Sequence, residues 1–419
     1  MAAKADRQRA AFYGWRVVAA AFVLAAFGWG MGFYGPPIFL RVLGETRGWP
    51  LALISTAVTV HFLAGAVSGA SLPTLYRRFG AAAVTKAATI ALAVGIVGWA
   101  MAQAPWQLFV ATLFSGAGWS AMSAAAVNAI VAPWFERGRP AALAMAYNGG
   151  SVGGIVFSPL WVAVIGTLGF PAAAVLIGIV MAVTVWTLAD LVFSRTPGAM
   201  GLAPDGDAPD APAAQVTSAA ARTLPGARLW RDAKFLTLAA GMALGLFAQI
   251  GLMAHLYSLL VPALGTQNAG WAMSLMTVMA IAGRTLVGWV MAPGADRRLV
   301  AGGGYAFQLA GSLVLIAAAG ANVPLLLLGV VLFGAGFGNA TSLPPLVAQV
   351  EFVAEDVARV VPLIVAMAQA AYAFAPAAFG LIRELTETGA HPGAAPVLFA
   401  AAALVQGLAL GAFLAGRRS

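Results

Sequence analysis

Residues 270–292 read GWAMSLMTVMAIAGRTLVGWVMA, an apolar run long enough to cross a bilayer as a helix and interrupted by one charge, Arg284. The nearest strongly polar flanks are Asn268 and Asp296, and no other of the 23 Lys/Arg and 14 Asp/Glu side chains lies so deep in an apolar segment. Ionisable groups in hydrocarbon are costly, and they normally face a bundle interior or a water-filled cavity where they mark a solute pathway. Arg284 is about eight residues from the end of its run, hence about 12 Å deep at 1.5 Å per residue, near the middle of a roughly 30 Å core. Ser274, Thr277, Ile281, Arg284 and Gly288 recur at helical spacing and give one side of this helix a largely polar stripe.

The rest of the chain reads in the same way. Hydrophobic residues make up 61% and charged residues 9%, with a mean hydropathy of +0.89, against about 25% charged residues in an average soluble domain. Backbone groups in lipid pair only within their own segment, so the spans must be helices and the chain an all-α membrane protein. Apolar runs fall at about 16–40, 51–75, 83–103, 106–132, 140–165 and 170–193, then at 234–261, 270–292, 299–320, 324–349, 361–382 and 394–416. They are numbered here as spans 1–12. This predicts a six-helix bundle over 1–193, a linker over 194–233 and a second six-helix bundle over 234–419. The linker contains Pro-Asp-Gly-Asp-Ala-Pro-Asp-Ala-Pro (204–212), a composition that cannot bury a core.

Charge placement sets the expected topology. Nineteen of the 23 Lys/Arg, from Lys4 to Arg418, fall at the N-terminus, the even-to-odd connections, the linker or the C-terminus; Arg41, Arg47 and Arg383 fall on the other side. That asymmetry places both termini in the cytoplasm, accounts for the pI near 10.5 and removes the need for a nucleic-acid partner. The absence of Cys excludes disulfides and thiolate metal sites. The basic start before the first run is read as leading into a retained span rather than a cleaved signal.

The halves echo each other at offsets near 220 residues. Gly48-Trp49 matches Gly270-Trp271, Arg77-Arg78 matches Arg297-Arg298, and Gly116-Ala117-Gly118-Trp119 matches Gly334-Ala335-Gly336-Phe337. Two similarly oriented repeats joined by a cytoplasmic linker are the plan of transporters that rock around a midplane site.

Four stretches carry a resemblance to a known family: Tyr13-Gly14-Trp15-Arg16, Gly48-Trp49, Trp134-Phe135-Glu136-Arg137-Gly138-Arg139, and Gly283-Arg284-Thr285-Leu286-Val287-Gly288. Over nearly all its length the chain resembles the major facilitator superfamily, and within it bacterial relatives of the monocarboxylate and oxalate/formate transporters. The resemblance implies the major facilitator fold of twelve transmembrane helices in two bundles, residence in the bacterial inner membrane, and an arginine at position 284 that pairs with a substrate carboxylate. It also implies a gating motif in the 2–3 and 8–9 connections, here Arg77, Arg78, Asp296 and Arg297. The chain departs from the pattern at Ala280, where proton symporters carry an acid, at Pro36-Pro37, where they carry a lysine, and in span 11, where Gln369 and Tyr372 stand in place of an exchanger's lysine. The arginine and Gly-Pro-x-Gly-Gly signatures of drug/proton antiporters are absent from spans 4 and 5.

Other polar residues in apolar runs are candidate substrate contacts, each with an alternative in packing. His255 in span 7 can hydrogen-bond a solute or titrate near neutral pH, or serve as a hydrogen-bonded structural histidine. His61 in span 2 is a second candidate for protonation, although its apolar face favours packing. Asn128, Asn148, Asn339, Gln369 and Tyr372 either bind solute or link helices. Tyr34, in Gly32-Phe33-Tyr34-Gly35-Pro36-Pro37, falls where a helix can break and expose backbone to a solute, or kink for gating. The pairs Gly65/Gly69, Gly149/Gly153, Gly150/Gly154 and Gly334/Gly338 have the small-xxx-small spacing of close helix contact.

An isolated cation with no acidic side chain deep in any span attracts an anion and repels a cationic drug. The expectation is a secondary active transporter for a small organic monoanion, working as a monomer in the bilayer, with protons or a counter-anion left open as coupling partner and no cofactor or metal. Efflux of a drug or metalloid toxic compound is the alternative. A solute-binding receptor and an enzyme fit less well, because the linker holds no folded module and no buried nucleophile/base pair or metal constellation is visible.

Overall fold

The computed structural model describes residues 12–206, 226–291, 294–386 and 393–417. Lys4, Arg7, Arg9, Arg222, Arg418 and residues 207–225 of the expected linker lie outside the described residues. Among those described the chain is helical throughout, with ten apolar helices long enough to cross a bilayer. One of them, Leu51–Met101, is 51 residues long and holds spans 2 and 3, joined through Gly80 at φ 79°, a conformation that glycine adopts without a Cβ penalty. The apolar helix Val323–Phe337 supplies most of span 10, so each of the twelve expected spans has a helix among the described residues.

The chain forms two compact units. The first comprises residues 1–39 and 60–217, and the second residues 40–59 and 218–419. In the first unit, span 5 (Arg139–Leu168) lies along the first helix of span 1 (Tyr13–Gly32). Their contact is glycine-mediated: a Cβ on Gly149 would strike the Phe22 carbonyl, and one on Gly153 the Ala26 carbonyl. Gly150 and Gly154 receive the rings of Trp29 and Tyr34. The expected break in span 1 is present, since the helix stops at Gly32 and resumes over Gly35–Arg47.

In the second unit, span 7 (Ala233–Leu264) packs on span 12 (Pro396–Ala415) and span 11, and span 9 (Arg297–Ala317) on spans 10 and 12. Span 11 is longer than its apolar run and is interrupted, with helices Ala354–Ala373 and Ala375–Thr386. Pro376 has no N–H, and the amide of Ala377 donates instead to Thr59 Oγ1 at 3.1 Å. Residues 40–59 share this unit: Arg41 donates to the Ser258 carbonyl at 3.2 Å, and the Ala52 amide to Glu384 Oε2 at 2.6 Å.

The linker begins with more structure than its composition suggests. Short 3₁₀ turns form at Gly198–Met200 and Pro204–Gly206, and the second of these is tied to the 4–5 connection.

Candidate functional site

Span 8 (Thr266–Val290) and span 10 approach closely because glycines face backbone along their shared line. Cβ atoms on Gly283 and Gly338 would collide with the carbonyls of Ala335 and Ala280, and one on Gly334 would lie 2.5 Å from the Met276 carbonyl. This close approach brings Arg284 Nε within 2.8 Å of the Gly338 carbonyl, to which it donates. Asn339, buried, aims its amide at the Gly283 carbonyl at 3.4 Å, a long bond across the same seam.

Arg284 is half-buried, six residues before the end of its helix at Val290 and so about 9 Å from that end, shallower than the 12 Å read from the apolar run. The polar stripe is not uniformly open. Ser274 and Thr277 are buried and bond back to the carbonyls of Gly270 and Met273, whereas Gly288 at the other end is exposed.

His255 is fully buried, with Nε2 3.2 Å from the Pro376 carbonyl and no hydrogen-bond partner for Nδ1 among the described residues. Arg284 bonds span 10 and His255 bonds the break in span 11. Beside His255, Ser258 gathers two of the three cations from the sparsely charged side: Arg41 donates to its carbonyl and Arg383 to its hydroxyl. On span 11, Gln369 is exposed and Tyr372 half-buried.

In the first unit both ring nitrogens of His61 meet neighbouring helices. Its Nδ1 meets Ser115 Oγ at 2.8 Å and its Nε2 the Gly32 carbonyl at 2.9 Å, while Trp99 donates to the same Ser115 Oγ at 3.1 Å. Tyr34 is buried against Gly154, and Asn128 and Asn148 are exposed.

The two loop motifs differ. Arg77 and Arg78 are exposed, with Arg77 bonding Thr74 Oγ1 at 3.1 Å and Arg78 lying over the Phe79 ring. Asp296 instead caps span 9 by accepting from the Leu299 amide at 3.0 Å and pairs with Arg417, while Arg297 donates to the Leu346 carbonyl at 2.8 Å. Burial alone would raise the Asp296 carboxyl, but the Leu299 amide and Arg417 outweigh it and hold the group below the usual carboxylate range.

Sequence reading missed Arg298. It is 2% exposed, forks onto Glu351 at 2.6 and 2.8 Å, and also donates to Thr237 Oγ1 and the Lys234 carbonyl. Its position at a helix start gave no sign of this, because its partners are 53 to 64 residues away. Asp205 was missed too, although Pro-Asp-Gly is a turn signal.

Twelve apolar spans and a half-buried guanidinium on a glycine-packed seam define a membrane transport protein. The sequence profile of the Major Facilitator Superfamily matches residues 14–376, and the chain belongs to that superfamily. It matches none of the curated proteins significantly. Among solved structures it is similar to the nucleoside transporter NupG (16% identity, TM-score 0.71, covering 96% of this chain and 99% of that one). It is also similar to a bacterial homologue of the human lysosomal transporter Spinster, inward-facing and occupied (14% identity, TM-score 0.73, 97% of each chain). At these identities the likeness concerns the fold.

Proposed function

We propose that this secondary transporter moves a small organic monoanion, of the monocarboxylate kind, with Arg284 as the group that meets its carboxylate. The observation that carries this reading is a half-buried guanidinium within an apolar helix, anchored through Nε to a neighbouring backbone. A guanidinium stays charged at every relevant pH and pairs with carboxylate as a planar fork. Its anchor orients that fork without neutralising it, because a carbonyl carries no charge. Gln369 and Tyr372, on span 11, are the further polar side chains that this reading assigns to the solute. The bundles at 1–193 and 234–419 are the moving halves in this reading, in the bacterial inner membrane with both termini cytoplasmic.

The test is flux in liposomes. Labelled monocarboxylates are screened with and without imposed pH and anion gradients, for the parent and for Arg284→Ala. Saturable carboxylate flux that is lost in the variant is the expected result. Absence of any carboxylate flux, or normal flux in Arg284→Ala, overturns the reading.

A further inference from the structure

Two of the sequence motifs singled out above, Tyr13-Gly14-Trp15-Arg16 and Trp134-Phe135-Glu136-Arg137-Gly138-Arg139, play no part in the Arg284 site. They meet each other in the first unit. Phe12 packs edge-on to Phe135 with centroids 5.5 Å apart, Trp15 packs on Phe135 at 5.1 Å, and Tyr13 on Trp134 at 5.3 Å. Tyr13 also donates its hydroxyl to the Leu191 carbonyl at the end of span 6, at 2.9 Å.

The start of the linker closes over this cluster. Asp205 Oδ2 accepts from the amides of Glu136 at 3.1 Å and Arg137 at 2.8 Å, and Oδ1 accepts from Gly138 at 3.1 Å. The Arg137 side chain stands 3.9 Å from the same carboxylate. Three successive amides converging on one carboxylate form an anion-binding nest, here at the start of span 5 and filled from within the chain. Asp205 reaches it at φ 59°, a left-handed conformation that aspartate adopts more readily than most side chains. Gly206, at φ 74°, lies against the Phe12 ring, where a Cβ would come within 2.9 Å of it.

We propose that Asp205 is a latch: its carboxylate pins the start of the linker into the amide nest of the 4–5 connection. The latch is local, because its bonds run between two connections and not between spans. It is a positioning contact, since it holds the N-terminus of span 5. Span 5 is the helix that packs on span 1 through Gly149 and Gly153 and whose Gly154 receives the Tyr34 ring.

The test uses the full-length protein in detergent or nanodiscs and reads hydrogen exchange across 134–140, together with tryptic cleavage after Arg137. The next tryptic site, Arg139-Pro140, resists cleavage and does not obscure the readout. Asp205→Ala is expected to speed both by tenfold or more while the midpoint of thermal unfolding stays put. Asp205→Asn, which keeps one acceptor oxygen and tolerates the same backbone conformation, is expected to fall between the two. Gly138→Ala loosens the nest from the other side, since its Cβ would lie 3.0 Å from Asp205 Oδ1. Unchanged exchange in Asp205→Ala overturns the latch. So does faster exchange spread over all of the first unit with a lowered unfolding midpoint, which would make Asp205 part of the global fold.

Discussion

Arg284 donates from Nε to the carbonyl of Gly338 at 2.8 Å, so the charge in span 8 is fixed to the backbone of span 10. The bond exists because Gly283, Gly334 and Gly338 remove the side chains that would hold the helices apart. One guanidinium therefore belongs both to the packing of the second unit and to the proposed anion site. The two roles separate experimentally.

Arg284→Lys keeps the charge but loses Nε and the fork. A charge-assisted hydrogen bond contributes about 1.5–3 kcal/mol, so monocarboxylate flux is expected to fall roughly tenfold or more in half-saturation terms. The lysine variant should resemble Arg284→Ala more closely than the parent. Flux kinetics over a substrate series measure this, and a fully active lysine variant would show that charge alone is sufficient.

The glycine seam predicts a sharp contrast in stability. Gly338→Ala and Gly283→Ala each overpack backbone against backbone, which costs about 1–3 kcal/mol, and both should lower the unfolding midpoint. Gly288→Ala, whose Cβ would meet nothing within 4 Å, should leave it unchanged. Thermal unfolding of the three variants in one detergent decides the matter.

The seam was legible in sequence as a small-xxx-small pair, and Arg284 as a charge in an apolar run, because both are local patterns. Which helix each face meets was not. Periodicity marks the glycine face of span 5, but only the folded chain shows that it lies on Phe22 and Ala26. The same limit hid the membership of residues 40–59 in the second unit, which depends on Arg41 and Ala52 finding Ser258 and Glu384. His61 was ambiguous for a different reason, since an imidazole in a span reads alike whether its nitrogens face solute or a neighbouring helix.

His61 has both ring nitrogens engaged, by Ser115 and by Gly32. His61→Ala should strand the Gly32 carbonyl in the core, at about 1–3 kcal/mol for a buried unsatisfied group. The expected signature is a lowered unfolding midpoint with no displacement of the pH profile of flux. A displaced profile would return His61 to the list of proton carriers.

The Asp205 latch should be insensitive to pH near neutrality. Burial alone would raise this carboxyl, but the amides of Arg137, Gly138 and Glu136 and the charge of Arg137 hold it below the usual carboxylate range. Arg137 is the charged group beside it, Glu136 and Arg139 flank it on the same connection, and the packed N-terminal segment contributes the titratable Tyr13. A lowered carboxyl contributes its full stabilisation above its unfolded value and loses it only as pH falls through the folded one. Exchange protection at 136–138, corrected for intrinsic rate, should therefore be flat from neutral pH down to about pH 5.

Arg298 and Glu351 test how a buried ion pair anchors the second unit. Arg298 is almost fully enclosed, and its guanidinium spans Glu351, Thr237 and the Lys234 carbonyl, binding the start of span 9 to the end of span 10 and to span 7. A Cβ on Gly416 would strike the same guanidinium, so span 12 closes the pocket. Removing one partner leaves an uncompensated buried charge, typically at a cost of about 3–5 kcal/mol, whereas replacing both with apolar side chains of similar volume is often neutral. Glu351→Leu alone should therefore lower the unfolding midpoint more than the double variant Arg298→Met/Glu351→Leu. If the double variant is the less stable of the two, the bonds from Arg298 to Thr237 and Lys234, rather than its pairing with Glu351, hold this end of the unit together.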